Sequence, residues 1–237
     1  MKKTIIFLFL PLLLFLSGCP DKPGLLRVDS KDATAYSADL TYNFINNNDQ
    51  DSGGTVVGIS VRSHKASGSF AQEVVSGTSL EISPYTSFNG PTVVSGDVAL
   101  KHSEIRLNVE QYLKGGKASI VLGGGFQSQG IELDIRNSIL QDSTSIHVST
   151  PLFLMAGLRY HPIDTLYVEY HMRMGLGANL TEQDSYGESN LLLCYSPVKQ
   201  ASLCGGYREI DLYITDWFRS DLEVNMKGPA AEMRLQF

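Results

Sequence analysis

The sequence predicts an all-β chain: a closed, antiparallel, up-and-down transmembrane β-barrel of about ten strands, with eight the next count. Three observations carry that expectation. From Thr34 onward apolar and polar residues alternate with a period of two, as in "EIRLNVEQ", where Ile105, Leu107 and Val109 oppose Arg106, Asn108 and Glu110. This is the mark of strands whose two faces differ. The polar parity carries both signs of charge at similar depths: Arg106, Glu110, Glu132, Arg136, Glu169, Arg173, Glu232 and Arg234. The chain ends in "AEMRLQF", with Met233, Leu235 and Phe237 on one parity. Terminal residues fray unless something ties them down, so a closing strand explains that ending.

The elements follow in order. "MKKTIIFLFLPLLLFLSGC" joins Lys2 and Lys3 to an apolar run and then Leu16-Ser17-Gly18-Cys19, a secretory signal too short for a spanning helix. Its end resembles a bacterial lipoprotein cleavage site, which makes residues 1–18 the signal and Cys19 the lipid-carrying first residue. An ordinary signal with an incidental Cys is the plain alternative. Residues 19–33 read as a tether, because Pro20, Pro23 and Gly24 disfavour regular structure. Residues 34–237 form the barrel, with strands expected near 34–46, 55–63, 69–83, 97–113, 117–137, 144–160, 163–179, 187–197, 200–214 and 219–237. "HKASGS", "KGGK", "HPID" and "PVKQ" read as tight turns. "NNNDQDSGG", "PYTSFNGPTVVSG" and "LTEQDSYGES" read as longer loops at the other end.

Composition excludes other classes. Hydrophobic residues make up 43% of the chain, too few for a helical membrane protein but neutral for a barrel, whose two faces average out. Without residues 1–18 the chain keeps 17 basic and 25 acidic residues, a formal charge of −8. No Lys/Arg cluster remains, so no nucleic-acid partner is expected. In lipid every backbone polar group needs a partner, so a spanning sheet must close. The apolar parity is then expected to face acyl chains and the charged parity to pair inside. Leu222, Val224 and Met226 are even-numbered while Met233, Leu235 and Phe237 are odd, which predicts a bulge at Gly228-Pro229.

From about Gly123 to Phe237, with "GGYREIDL" and "DLEVNMKGPAAEMRLQF", the chain resembles small outer-membrane β-barrel proteins of Gram-negative bacteria. The likeness is to a poorly characterised family with Gly-Tyr-Arg and Gly-Pro in the closing strands, and more distantly to OmpW- and OmpA-type barrels. Residues 34–120 match less clearly, and the lipoprotein-type start departs from the pattern. The resemblance implies a fold, an outer membrane and a C-terminal signal at Phe237 for the barrel assembly machinery. No catalytic residues come with it.

A hairpin centred on "PVKQ" puts Cys194 opposite Cys204 facing the lumen, where Cβ atoms lie ~4.5–5.5 Å apart, within reach of a disulfide in an oxidising compartment. Two separate small core residues are the alternative. No metal or cofactor is expected, since no His stands at ligand spacing near that pair. His147 and Ser149 form a His-x-Ser on one strand face, a pattern that also occurs in barrel lipid A deacylases, with Glu169 or Asp164 as an orienting acid. The bland reading is a polar strand face that holds both. His171, between Glu169 and Arg173, reads as a lumen hydrogen-bonding residue. "GGG" at 123–125 lacks the helix start of a phosphate loop and reads as a bend, a bulge or a close approach. Tyr36, Tyr42, Tyr160, Tyr167 and Tyr170, with Trp217 and Phe218, are candidates for interfacial aromatics. The expected role is non-enzymatic, structural or in passage of small solutes or hydrophobes. A deacylase-like hydrolase and a soluble periplasmic β-sandwich or lipocalin-like carrier are the alternatives.

Overall fold

The computed structural model describes residues 24–47, 53–83, 86–148, 152–176, 184–217 and 220–237. Thirteen strands account for nearly all of them: β1 (Gly24–Ser30), β2 (Thr34–Asn47), β3 (Thr55–Val74), β4 (Ser79–Ser83), β5 (Thr86–Asn89), β6 (Thr92–Tyr112), β7 (Ala118–Arg136), β8 (Gln141–Val148), β9 (Leu152–Ile163), β10 (Leu166–Leu176), β11 (Ser185–Val198), β12 (Ala201–Trp217) and β13 (Ser220–Gln236). The chain is all-β, as its alternation predicts. Eleven strands form one mixed sheet, and β4–β5 form a separate hairpin.

Pairing runs β2-β3-β6-β7-β9-β10-β11-β12-β13, and β13 pairs again with β2. The path has nine members rather than the expected ten, and the sheet is not wholly antiparallel: β13 runs parallel to β2, with Ala230 opposite Ala35 and Gln236 opposite Thr41. The difference arises at "HKASGS", which is not a turn. β3 passes straight through it, and His64, Lys65, Ala66 and Gly68 pair with His102, Lys101, Leu100 and Val98. Gly68 is there for room, since a Cβ would fall 2.1 Å from the Ser30 hydroxyl. With β3 unbroken, Asn47 and Thr55 lie at the end that carries the 113–117, 164–165 and 199–200 turns. Of the expected 69–83 strand, the last five residues form β4, in the separate hairpin.

Two other expectations change. Gly24–Ser30, inside the expected tether, is a strand running parallel to Ser220–Met226 of β13, because its alternate residues Leu26 and Val28 are fully buried. On its other side the Gln72 amide substitutes for a ladder, accepting from Arg27 N (2.7 Å) and donating to Leu25 O (2.9 Å). β13 has no bulge at Gly228-Pro229: its register with β12 is constant from Leu235–Ala201 to Leu222–Ile214. Pro229 falls instead in the short gap between the β1 and β2 ladders on β13.

The apparent change of parity has another cause, which divides the molecule at mid-height. In the half nearest the 113–117, 164–165 and 199–200 turns (the turn-side half), outward residues are apolar: Leu107, Leu122, Leu154, Met172, Leu193, Leu203 and Met233 are all exposed. In the distal half the outward residues are polar, among them Ser63, Lys65, Asp97, Lys101, Glu132, Asp134 and Arg136. The inward residues there are Phe70, Val98, Leu100, Ile131, Leu133, Ile135, Ile210, Leu222, Val224 and Met226, packed in one buried cluster. Glu132 and Arg136 therefore lie on the outer surface and not in the interior, and Leu133 is core. Leu222, Val224 and Met226 point inward on the same parity as Glu232, so no extra residue is needed. The β4–β5 hairpin adds Leu80, Ile82 and Phe88 to this core.

The chain end is tied down. Phe237 N donates to Thr41 O (2.9 Å), and Asn43 N donates to Phe237 O (2.8 Å). β7 crosses Gly123–Gly125 without a bulge, paired on both edges. Close approach is the reason for glycine at 125, where a Cβ would meet the Ile105 carbonyl oxygen at 2.0 Å.

Candidate functional site

The inward face of the turn-side half holds an ion-pair layer. Strand alternation delivers it: Asp39 from β2, Arg62 from β3, Glu104, Arg106 and Glu110 from β6, Arg159 from β9, Glu169 and Arg173 from β10, Glu188 from β11, Arg208 from β12, and Glu232 and Arg234 from β13. Six guanidinium groups thus face six carboxylates, and each takes part in at least one ion pair.

Three acids act as hubs. Glu169 accepts from Arg159 (2.7 Å) and from both terminal nitrogens of Arg234 (2.7 and 2.8 Å). Glu232 accepts from Arg62 and Arg208 (3.0 Å each) and from Arg234 Nε (2.7 Å). Glu104 accepts from Arg106 and Arg173 (2.7 Å each), and Arg106 also reaches Asp39. Glu188 differs, because its guanidinium neighbours Arg62, Arg173 and Arg208 stand at 3.3–3.6 Å. It instead accepts short hydrogen bonds from the Tyr186 hydroxyl and Asn190 Nδ2 (2.6 Å each). Burying charges is costly, and only pairing with further hydrogen bonds offsets the loss of water; this network supplies both.

Below the layer a vestibule of about 1010 Å³ opens between the turns, with Lys117, Asp164, Lys199 and Gln236 near its mouth and Arg106, Arg173 and Glu232 at its floor. Above the layer lies the distal part of the apolar cluster; the cluster's members Tyr167, Leu192, Cys194 and Cys204 sit on the turn side. Among the described residues, ion pairs and then buried apolar side chains separate the vestibule from the distal end.

The other sequence-derived positions are distributed as follows. Cys194 is directly opposite Cys204, and their sulfurs are bonded. Cys19 and Ser149 lie outside the described residues. His147 is exposed on β8, opposite Gly130, while Glu169 is buried inside and Asp164 lies in the β9–β10 turn. His147 therefore meets neither acid. His171 is an interior hydrogen-bonding residue, with Nδ1 at 3.0 Å from Glu169 and Nε2 at 2.9 Å from Asn190. Tyr36, Tyr42, Tyr160 and Tyr170 are exposed on the outer face. Tyr167 is not: it is buried, with the Arg159 guanidinium 4.9 Å over its ring. Phe218 lies outside the described residues.

Sequence reading missed Arg62, His64, His102, Glu104, Glu188 and Arg208. Their period-two placement was the available signal, masked at His64 by the Gly/Ser-rich stretch that imitates a turn. Comparison with known protein families, with curated proteins and with solved structures finds no match for this chain.

Proposed function

We propose that the chain is an outer-membrane β-barrel lipoprotein, lipidated at Cys19, whose nine-member pairing path closes around a filled interior and whose role is structural. The observation that carries this reading is the exchange of faces at mid-height. Among the described residues, the exposed large apolar side chains belong to the turn-side half, which carries the charges on its inside, except Val75, Val93, Ile139 and Leu140, and Tyr36, which pairs with Lys65 where the halves meet. Soluble proteins rarely expose so continuous an apolar surface, and hydrocarbon is the solvent that suits it.

Dimensions agree. On β10 the outward positions from Leu166 to Leu176 span about 33 Å along the strand at ~3.3 Å per residue. At a tilt of about 40° that is a band ~25 Å tall, the height of a barrel's lipid-facing belt. β3, β6 and β7 have 20, 21 and 19 residues, about twice the 9–11 a spanning strand needs. The surplus is the distal half, which projects into water with an apolar core of its own. The likeness of the closing strands to Gram-negative barrels points the same way, as does the bonded Phe237 end, the expected handle for the assembly machinery.

A neutral ion-pair layer beneath an apolar core favours a structural role over passage of solutes. The test is fractionation of a Cys19→Ser variant, followed by carbonate and urea washes. Retention in the outer-membrane pellet until detergent is added supports the barrel. Release into the soluble fraction supports the lipocalin-like alternative. In planar bilayers the purified protein is expected to give no stepwise conductance.

A further inference from the structure

His64 and His102 are directly opposed on β3 and β6, with both side chains inside and ring centroids 4.7 Å apart. Glu188 reaches the same point from β11 across the interior, and one ligating atom from each of the three lies within 4.8 Å of the others. Both ring nitrogens of His64 lack a hydrogen-bond partner, although the residue is 3% exposed. A buried, unpaired imidazole is a destabilising choice, and the same interior gives His171 a partner for each nitrogen. His102 presents Nε2 to Glu104 at 3.0 Å without the alignment of a hydrogen bond.

We propose that His64, His102 and Glu188 form a binding site for one transition-metal dication of the Zn²⁺ or Cu²⁺ type. Two imidazoles and one carboxylate suit these ions, whereas Ca²⁺ and Mg²⁺ require mostly oxygen ligands. Glu188 is the carboxylate held least closely by arginine, and the Tyr186 hydroxyl, 2.6 Å from its Oε2, orients it as outer partners of metal ligands do. Arg62, Arg173 and Arg208 face the site and oppose a dication, while Glu188 and the Glu104 carboxylate beside His102 offset them. The site sits at the junction of the ion-pair layer and the apolar core, sealed from the vestibule. The metal therefore enters while the strands assemble.

The test folds the full chain from urea into detergent with excess Zn²⁺ or Cu²⁺, then removes loose metal by gel filtration. One ion per chain is expected, and for Cu²⁺ an electron paramagnetic resonance spectrum with splitting from two imidazole nitrogens. His64→Gln and His102→Gln should each weaken binding by more than the roughly 10–100-fold that loss of an outer partner of a ligand costs, while His147→Ala, on the outer face, leaves it unchanged. Folded wild-type protein that retains no metal overturns the proposal. So does a spectrum without two nitrogen ligands, or retention that depends on His147. If the glutamine variants do not fold, the wild-type stoichiometry and spectrum decide alone.

Discussion

Arg62 has no exposed side-chain surface and serves Glu188 and Glu232 at once. Removing one partner of such a pair leaves buried charge uncompensated, which costs about 3–5 kcal/mol. Arg62→Ala should lower the unfolding free energy in urea, measured in lipid vesicles, by about that amount. Lys101→Ala breaks a pair with Glu132 that is more than half exposed and should change it by less than about 1 kcal/mol. At Cys194 and Cys204 the small loop they close predicts about 2–3 kcal/mol by chain entropy. A thiol assay on the unfolded, unreduced protein should find both protected, and reduction should lower stability by that amount. Alternation made Arg106, Glu110, Glu169, Arg173, Glu232 and Arg234 legible as interior residues. It misassigned Glu132 and Arg136 because a period of two says that two faces differ, and not which of them meets water.

Strands were more legible than their ends. Alternation located β2, β6, β7 and β10–β13, since a slip of one residue would turn every buried side chain outward. "HKASGS" misled because Gly and Ser are turn residues by composition, while here they are the small residues that let β1 pack against β3. The β4–β5 hairpin was illegible: five and four residues are too few for periodicity, and its burial depends on partners distant in sequence. Phe88, 1% exposed in the distal core, should cost about 3–5 kcal/mol as Phe88→Ala, read by urea unfolding. The hairpin is also anchored at Asp142, whose carboxyl is held below its ordinary range by hydrogen bonds from Thr86 and then Ser83, against slight burial. A depressed folded value means that this hold is complete above the ordinary carboxylate pKa of about 4 and is lost as pH falls through the depressed value. Hydrogen exchange over 79–89, corrected for intrinsic rates, should be less protected at pH 3 than at pH 6. Asp142→Asn should remove most of that difference.

For the molecule as a whole, the parity of the pairing path fixes where its ends lie. An even antiparallel count returns both ends to one side. Nine members with a parallel β13–β2 pair place Gly24 at the distal end and Phe237 at the turn side. A short epitope inserted before Gly24 and another in the 113–117 turn should therefore be protected from protease on opposite faces of a sealed membrane vesicle. The all-β class was written in the alternation, but the two-part build was not. An outward apolar row under an inward apolar row differs from a single row only through which residues meet across the interior, and no local pattern encodes that. On the proposed function, the turn-side half is inverted toward hydrocarbon while the distal half is not. Spin labels placed singly by Leu154→Cys, Met172→Cys, Leu203→Cys, Ser67→Cys and Asp134→Cys in protein reconstituted into bilayers distinguish the two halves. The first three labels are expected to collide preferentially with oxygen and the last two with a water-soluble nickel chelate; preferential collision of the Leu154, Met172 and Leu203 labels with the chelate would contradict the account.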